Sequence, residues 1–158
     1  MELDQLLLIG HLVGVFLMIA AAGITTAAAL KVGRLASPAA VLPWLDLQRT
    51  SELFLTTPGA VITFIFGSAL VGREYDFSQP WVSASYLLLI VLLGVDHGWF
   101  LRFVRGFRAE VAALAATGAT DLGDLRAKWT APLPTAIGIG MDASFLVFLI
   151  LMVTRPGS

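Results

Sequence analysis

An all-α integral membrane bundle of four transmembrane helices, folded as a single domain over residues 1–158, is what this sequence predicts. Three observations predict it. Hydrophobic residues make up 58% of the chain and charged residues only 13%, against about a quarter charged in ordinary soluble domains. The missing charge is concentrated in four long apolar runs. Each run has the roughly 20 residues that a helix needs to cross a hydrocarbon core of about 30 Å.

The runs cover residues 5–30, 53–71, 82–103 and 134–153. Backbone groups have no water partners in lipid, so these spans are expected to be helices. None shows the two-residue alternation of barrel strands. The chain starts Met1-Glu2-Leu3-Asp4. A cleavable signal peptide starts basic, and this start is acidic, so the first run reads as a permanent span.

The segments between the runs set the orientation. The first loop carries Lys31, Arg34 and Arg49. The third carries Arg105, Arg108, Arg126 and Lys128, with Arg102 at its edge. Basic loops stay on the cytoplasmic side, so both termini are expected outside, on the periplasmic or extracellular face. Trp81 and Tyr75 suit an outer aromatic belt, and Trp44 and Trp129 an inner one. Ser37-Pro38 is a helix start. Residues 41–54 read as an interfacial helix that enters the second span through Thr57-Pro58-Gly59, where the proline is expected to kink the join. The third span is expected to continue to Ala116, and residues 118–128 to form a mobile loop.

Composition excludes several chemistries. The chain has no cysteine, so disulfides, iron–sulfur clusters, thiolate zinc sites and covalently attached haem are ruled out. A net charge of -1 gives no basis for nucleic-acid binding. No phosphate loop, nucleophile elbow or metalloprotease helix is present, and no enzymatic activity is expected.

Small residues four apart let helices approach closely in lipid. Gly10 and Gly14, Gly94 and Gly98, and Gly140 and Ser144 are such pairs, and they predict tight packing or self-association.

Ionisable groups within a bilayer cost roughly 2.5–3.5 kcal/mol each on insertion scales, so they need a partner, a cavity or a function. The candidates are His11, Asp96, His97 and Asp142, with Glu52 at the inner edge of the second span. At 1.5 Å per residue His97 lies about 22 Å from the outer face and His11 about 9 Å. That mismatch of about 13 Å disfavours one haem held between them. Asp96, His97 and Asp142 pass the same test, because His97 and Asp142 each lie about 12 Å from the inner face. Such a layer suits proton transfer, cation binding, the orientation of a haem-ligating histidine, or a polar staple between the third and fourth helices. Met18, seven residues beyond His11 on the same helical face, is expected to pack rather than ligate. Arg102, Arg105 and Arg108 recur every three residues, a pattern suited to anionic membrane lipid or a partner subunit as well as to topology.

Four stretches carry a family resemblance: "GHLVGVFLMIAAAG", "SELFLTTPGAVITFIFGSALV", "WVSASYLLLIVLLG" and "LILMVTRP". Through them nearly the whole chain resembles a bacterial four-span membrane family known as domain of unknown function 2269, which implies the same bundle and no established activity. More distantly, the early histidine is similar to that of HemJ-type protoporphyrinogen oxidases and copper-resistance D-like proteins. That resemblance implies haem b at His11. The HemJ-type pattern also includes a lysine inside the membrane, whereas Lys31 and Lys128 fall in predicted loops, so the likeness carries over at His11 alone.

Three functions follow, in order of expectation. The first is a non-enzymatic accessory or scaffold subunit, as a homo-oligomer or within a larger membrane complex. The second is a b-type haem protein using His11 and His97. The third is proton or cation conduction through Asp96, His97 and Asp142.

Overall fold

The computed structural model describes residues 2–157, and every regular element among them is helical. Helix α1 (Leu3–Arg34) is followed by α2 (Pro38–Ser51), a π-helical turn at Glu52–Thr56, and α3 (Thr57–Glu74), which together make one continuous rod. A second rod comprises α4 (Pro80–Val95), a π-helical turn at Asp96–Phe100, and α5 (Leu101–Ala116). The short α6 (Asp124–Trp129) leads into α7 (Pro132–Thr154). Four of these helical units are long and apolar enough to cross a membrane. The expected spans are all present, and the third does continue to Ala116.

The join expected to kink at Pro58 is the first π-turn. Proline has no N–H to donate and its ring crowds the carbonyl four residues back. The rod relieves both by widening one turn ahead of Pro58, where the Thr57 N–H reaches back to the Glu52 carbonyl. The second π-turn contains no proline. There the Leu101 N–H reaches back to the Asp96 carbonyl.

Glycine governs the contact between α1 and α3. A Cβ on Gly14 would stand 2.5 Å from the Thr63 backbone nitrogen and 2.7 Å from the Gly59 carbonyl. A Cβ on Gly10 would strike the Phe66 ring, and one on Gly67 the His11 ring. Gly10 and Gly14 thus lie in the α1–α3 contact. Gly94, Gly98 and Gly140 have open space where a Cβ would stand, and Ser144 donates to the Gly140 carbonyl of its own helix at 2.8 Å. Sequence spacing finds small residues but not the direction in which their helix turns them.

The largest apolar core lies at the end of the bundle bearing α2, α5 and α6. Val32, Val41, Leu45, Phe107, Val111 and Leu122 are buried there. Trp129 joins them, its ring 4.7 Å from that of Phe107, so it is a core residue and not a belt anchor. Trp81 is likewise buried, edge-on to Tyr75. Trp44 is half-buried, with the Lys31 ammonium 5.8 Å from its ring centroid.

Residues 118–128, expected to be a mobile loop, are docked instead. Leu122 is buried, and Arg126 donates to the Gly33 and Leu35 carbonyls at 3.0 and 2.8 Å. Those carbonyls end α1 and have no intrahelical donor.

Arg108 also turns inward across this cap. Its guanidinium donates to both Asp46 oxygens, at 2.5 and 3.2 Å, which leaves Arg102 and Arg105 as the exposed members of the basic run. The Arg108 guanidinium holds the Asp46 carboxyl below its ordinary value of 3.8. A depressed carboxylate stabilises the fold above its unfolded pKa, and that contribution is lost as pH falls through the folded value. Asp46 is half exposed, so the pair is worth at most about 1 kcal/mol. Asp46→Asn is accordingly expected to cost that much at about pH 7 and progressively less as pH falls through the lowered folded value. Thermal unfolding followed from neutral pH into acid would show it, and a cost that does not change with pH would contradict it.

A carboxyl-lined cavity as candidate functional site

A cavity of about 370 Å³ lies between α1, α7 and the two π-turns. Three acids border it: Glu52, Asp96 and Asp142. Glu52 and Asp96 are the first residues of the two π-turns. An inserted residue rotates the following face of a helix, and π-turns recur where a side chain must be re-aimed for function. Here both turns bring their acid to the bundle interior. Glu52 is 5% exposed and Asp96 is 1% exposed.

The two carboxyls are neighbours, and the Thr25 and Thr56 hydroxyls stand beside Glu52. Two ionised carboxyls have no donor to offer each other, so a hydrogen bond between them needs a proton on one. Glu52 Oε2, both Asp96 oxygens and Thr25 Oγ1 are buried without a hydrogen-bond partner among the described residues. Buried polar groups are nearly always satisfied, so these oxygens call for a shared proton, a water or a ligand.

Asp142 reaches the cavity from α7, and its Oδ2 accepts from Thr26 Oγ1 of α1 at 2.7 Å. Arg34 and Thr135 add polar edges. Most of the remaining wall is apolar, and it includes Phe100, Phe103, Trp129 and Phe145.

Of the expected layer of Asp96, His97 and Asp142, the two acids line this cavity and His97 stands outside it. Its ring is 43% exposed, with Nδ1 3.1 Å from Asp96 Oδ2 and Nε2 3.4 Å from Thr57 Oγ1. Adjacent helical residues point about 100° apart, and the π-turn gives Asp96 the inward position.

His11 lies elsewhere. Its Nδ1–H donates to the Thr63 carbonyl at 3.1 Å, and the ring covers Gly67. The two histidines thus lean on α3 at Thr63 and Thr57, about 9 Å apart along that helix, and are not brought together. Met18 packs in the core as expected, with Thr63 Oγ1 3.9 Å from its sulfur.

Sequence places Glu52 at the inner edge of the second span but does not group it with Asp96. The signal at Glu52 is an acid four residues before the Thr56-Thr57-Pro58 step. Pro58 foretold a distortion there, but not that the distortion would turn Glu52 inward.

Among the described residues, no three His, Asp or Glu side chains converge closely enough to hold a metal ion. The acids border a space instead of gripping a point. Comparisons with protein-family models, with curated proteins and with solved structures returned no match.

Proposed function

We propose that this chain is a multi-pass membrane protein of the bacterial inner membrane that binds and exchanges protons or cations at the Glu52–Asp96 carboxyl pair, with Asp142 as the outer acid of the same cavity. The observation that carries this reading is the pair itself: two neighbouring carboxyls from two separate helices, both buried and both short of hydrogen-bond partners. Buried carboxyls without partners are costly, and inside a membrane they mark ion or ligand paths by default. A proton held between the two carboxyls removes the repulsion of like charges at close range, and its release gives the pair a charge with which to hold a cation. The basic residues at the α2, α5 and α6 end orient that end to the cytoplasm, which puts both termini outside and the pair in the inner half of the bilayer.

The test is proton flux into liposomes driven by an imposed potential. Asp96→Asn and Glu52→Gln are each expected to lower the rate at least tenfold, and Asp142→Asn to lower it less. Unchanged flux in both the Asp96 and Glu52 variants, with folding intact by circular dichroism, would reject the proposal.

A second reading is favoured by a separate observation. Gly94, Gly98 and Gly140 face open space, and α7 buries none of its residues. A face that is small and unburied suits close helix association in lipid, so the chain is also proposed to self-associate there. Gly98→Leu is expected to shift the protein from oligomer to monomer in native mass spectrometry. A wild type already monomeric in mild detergent would exclude it.

A further inference from the structure

We infer that the cavity takes a lipophilic organic monocation, and that this ligand enters sideways from the bilayer between α1 and α7; the inference rests on the carboxyl pair being an ion-exchanging site.

The size and lining of the cavity argue for this class. A bound proton needs no cavity, and a space of about 370 Å³ falls in the usual range for organic ligands, roughly 300–1,000 Å³. Among the described residues the three acids do not form a ligand set for a metal ion, so the open space beside the carboxyl pair suits a bulky cation with spread charge. The aromatic wall supplies the rest. Phe100, Phe103, Trp129 and Phe145 face the same space as Glu52, Asp96 and Asp142. Aromatic faces attract cations, most strongly where water is excluded. An anionic ligand would meet three carboxyls against one guanidinium, that of Arg34. A neutral apolar ligand would leave the buried Asp96 and Glu52 oxygens unsatisfied.

The route follows from the packing of α7. This helix rests on α4 through Phe145, Phe148 and Met152. Toward α1 it is tied by a single hydrogen bond among the described residues, Thr26 to Asp142. Leu30 of α1 and Ile139 of α7 both line the cavity and both are exposed on the lipid-facing surface. The gap they flank opens toward hydrocarbon, and Thr26–Asp142 spans it as a latch. An apolar cation concentrates in the membrane and reaches this gap without crossing water.

Charge balance fixes the exchange. A monocation entering the pair displaces the proton shared by Glu52 and Asp96, so one positive charge replaces another. The other charged groups around Asp96 are Asp142 on α7, Arg34 on α1 and His97 on its own turn.

Tetraphenylphosphonium is the probe, with the protein held in lipid nanodiscs and binding read by equilibrium dialysis. Saturable binding is expected, with one proton released per cation to a weakly buffered medium. Asp96→Asn and Phe145→Ala are each expected to weaken it at least tenfold. Phe145 holds no charge and is half-buried, so its variant keeps the test open if Asp96→Asn fails to fold. The chain has no cysteine, so Thr26→Cys with Asp142→Cys can be bridged uniquely by a short bifunctional thiol reagent. Bridging is expected to slow cation exchange at least tenfold relative to the same variant unbridged. If wild type shows no saturable binding while proton flux still depends on Asp96, the ligand class is wrong and the proton site stands. If the cation binds without proton release and flux ignores both acids, the proton site fails. Exchange unaffected by the bridge would overturn the lateral route.

Discussion

Replacing Gly14 with valine is expected to separate α1 from α3 and to destabilise the bundle by about 3 kcal/mol or more, the upper end of what overpacking costs. The reason is the nature of the atoms in the way. A valine Cβ would stand 2.5 Å from the Thr63 nitrogen and 2.7 Å from the Gly59 carbonyl. Both are backbone, so no side chain can rotate aside. Gly10 differs in this respect, because its obstacle is the Phe66 ring, which can swing away at smaller cost. Gly23→Val supplies the control, with nothing within 4 Å of its Cβ and an expected effect within about 0.5 kcal/mol. Thermal unfolding in detergent, monitored by tryptophan fluorescence, separates the two. Equal losses at Gly14 and Gly23 would mean that the α1–α3 contact is not what glycine protects.

The same comparison shows what the chain discloses before it is folded. Span lengths follow from the bilayer thickness, and all four were legible. So was the extension to Ala116, because Arg102, Arg105 and Arg108 leave an amphipathic pattern that water tolerates on one face. Rotation was not legible. A transmembrane helix is apolar all round, so hydrophobic periodicity does not distinguish its inner face from its lipid face. Gly14 and Gly94 look alike in sequence for that reason, and so do Asp96 and His97. The π-turns compound this by shifting the phase of a helix partway along its length. Pro58 signalled the first turn. At the second, Gly94 and Gly98 signalled packing that the monomer does not use. Tryptophan misled for a related reason: Trp81 and Trp129 occur near the ends of spans where anchors sit, yet neighbouring helices extend far enough to cover them.

Phe107→Ala is expected to cost about 3–5 kcal/mol, the range for deleting a fully enclosed aromatic ring. Phe107 has no exposed surface and sits with its ring 4.7 Å from that of Trp129 and 6.1 Å from that of Phe103. Its position beyond the apolar run 82–103 proposed to cross the bilayer sharpens the expectation. Within lipid, an exposed side chain already has an apolar solvent, and Phe16→Ala on the lipid face of α1, at 71% exposure, is expected to change stability by less than about 1 kcal/mol. In the α2, α5 and α6 cap the alternative to burial is water, and the full hydrophobic driving force applies. The loss is also expected to reach the cavity. Phe103 and Trp129 touch Phe107 on one side and form part of the cavity wall on the other. A hollow at Phe107 lets both rings relax away from the acids, so tetraphenylphosphonium binding should weaken in Phe107→Ala even where the protein remains folded. Refilling the hollow with Phe107→Leu should recover part of the stability and part of the binding together. Recovery of stability alone would show that the cap supports the bundle without shaping the site.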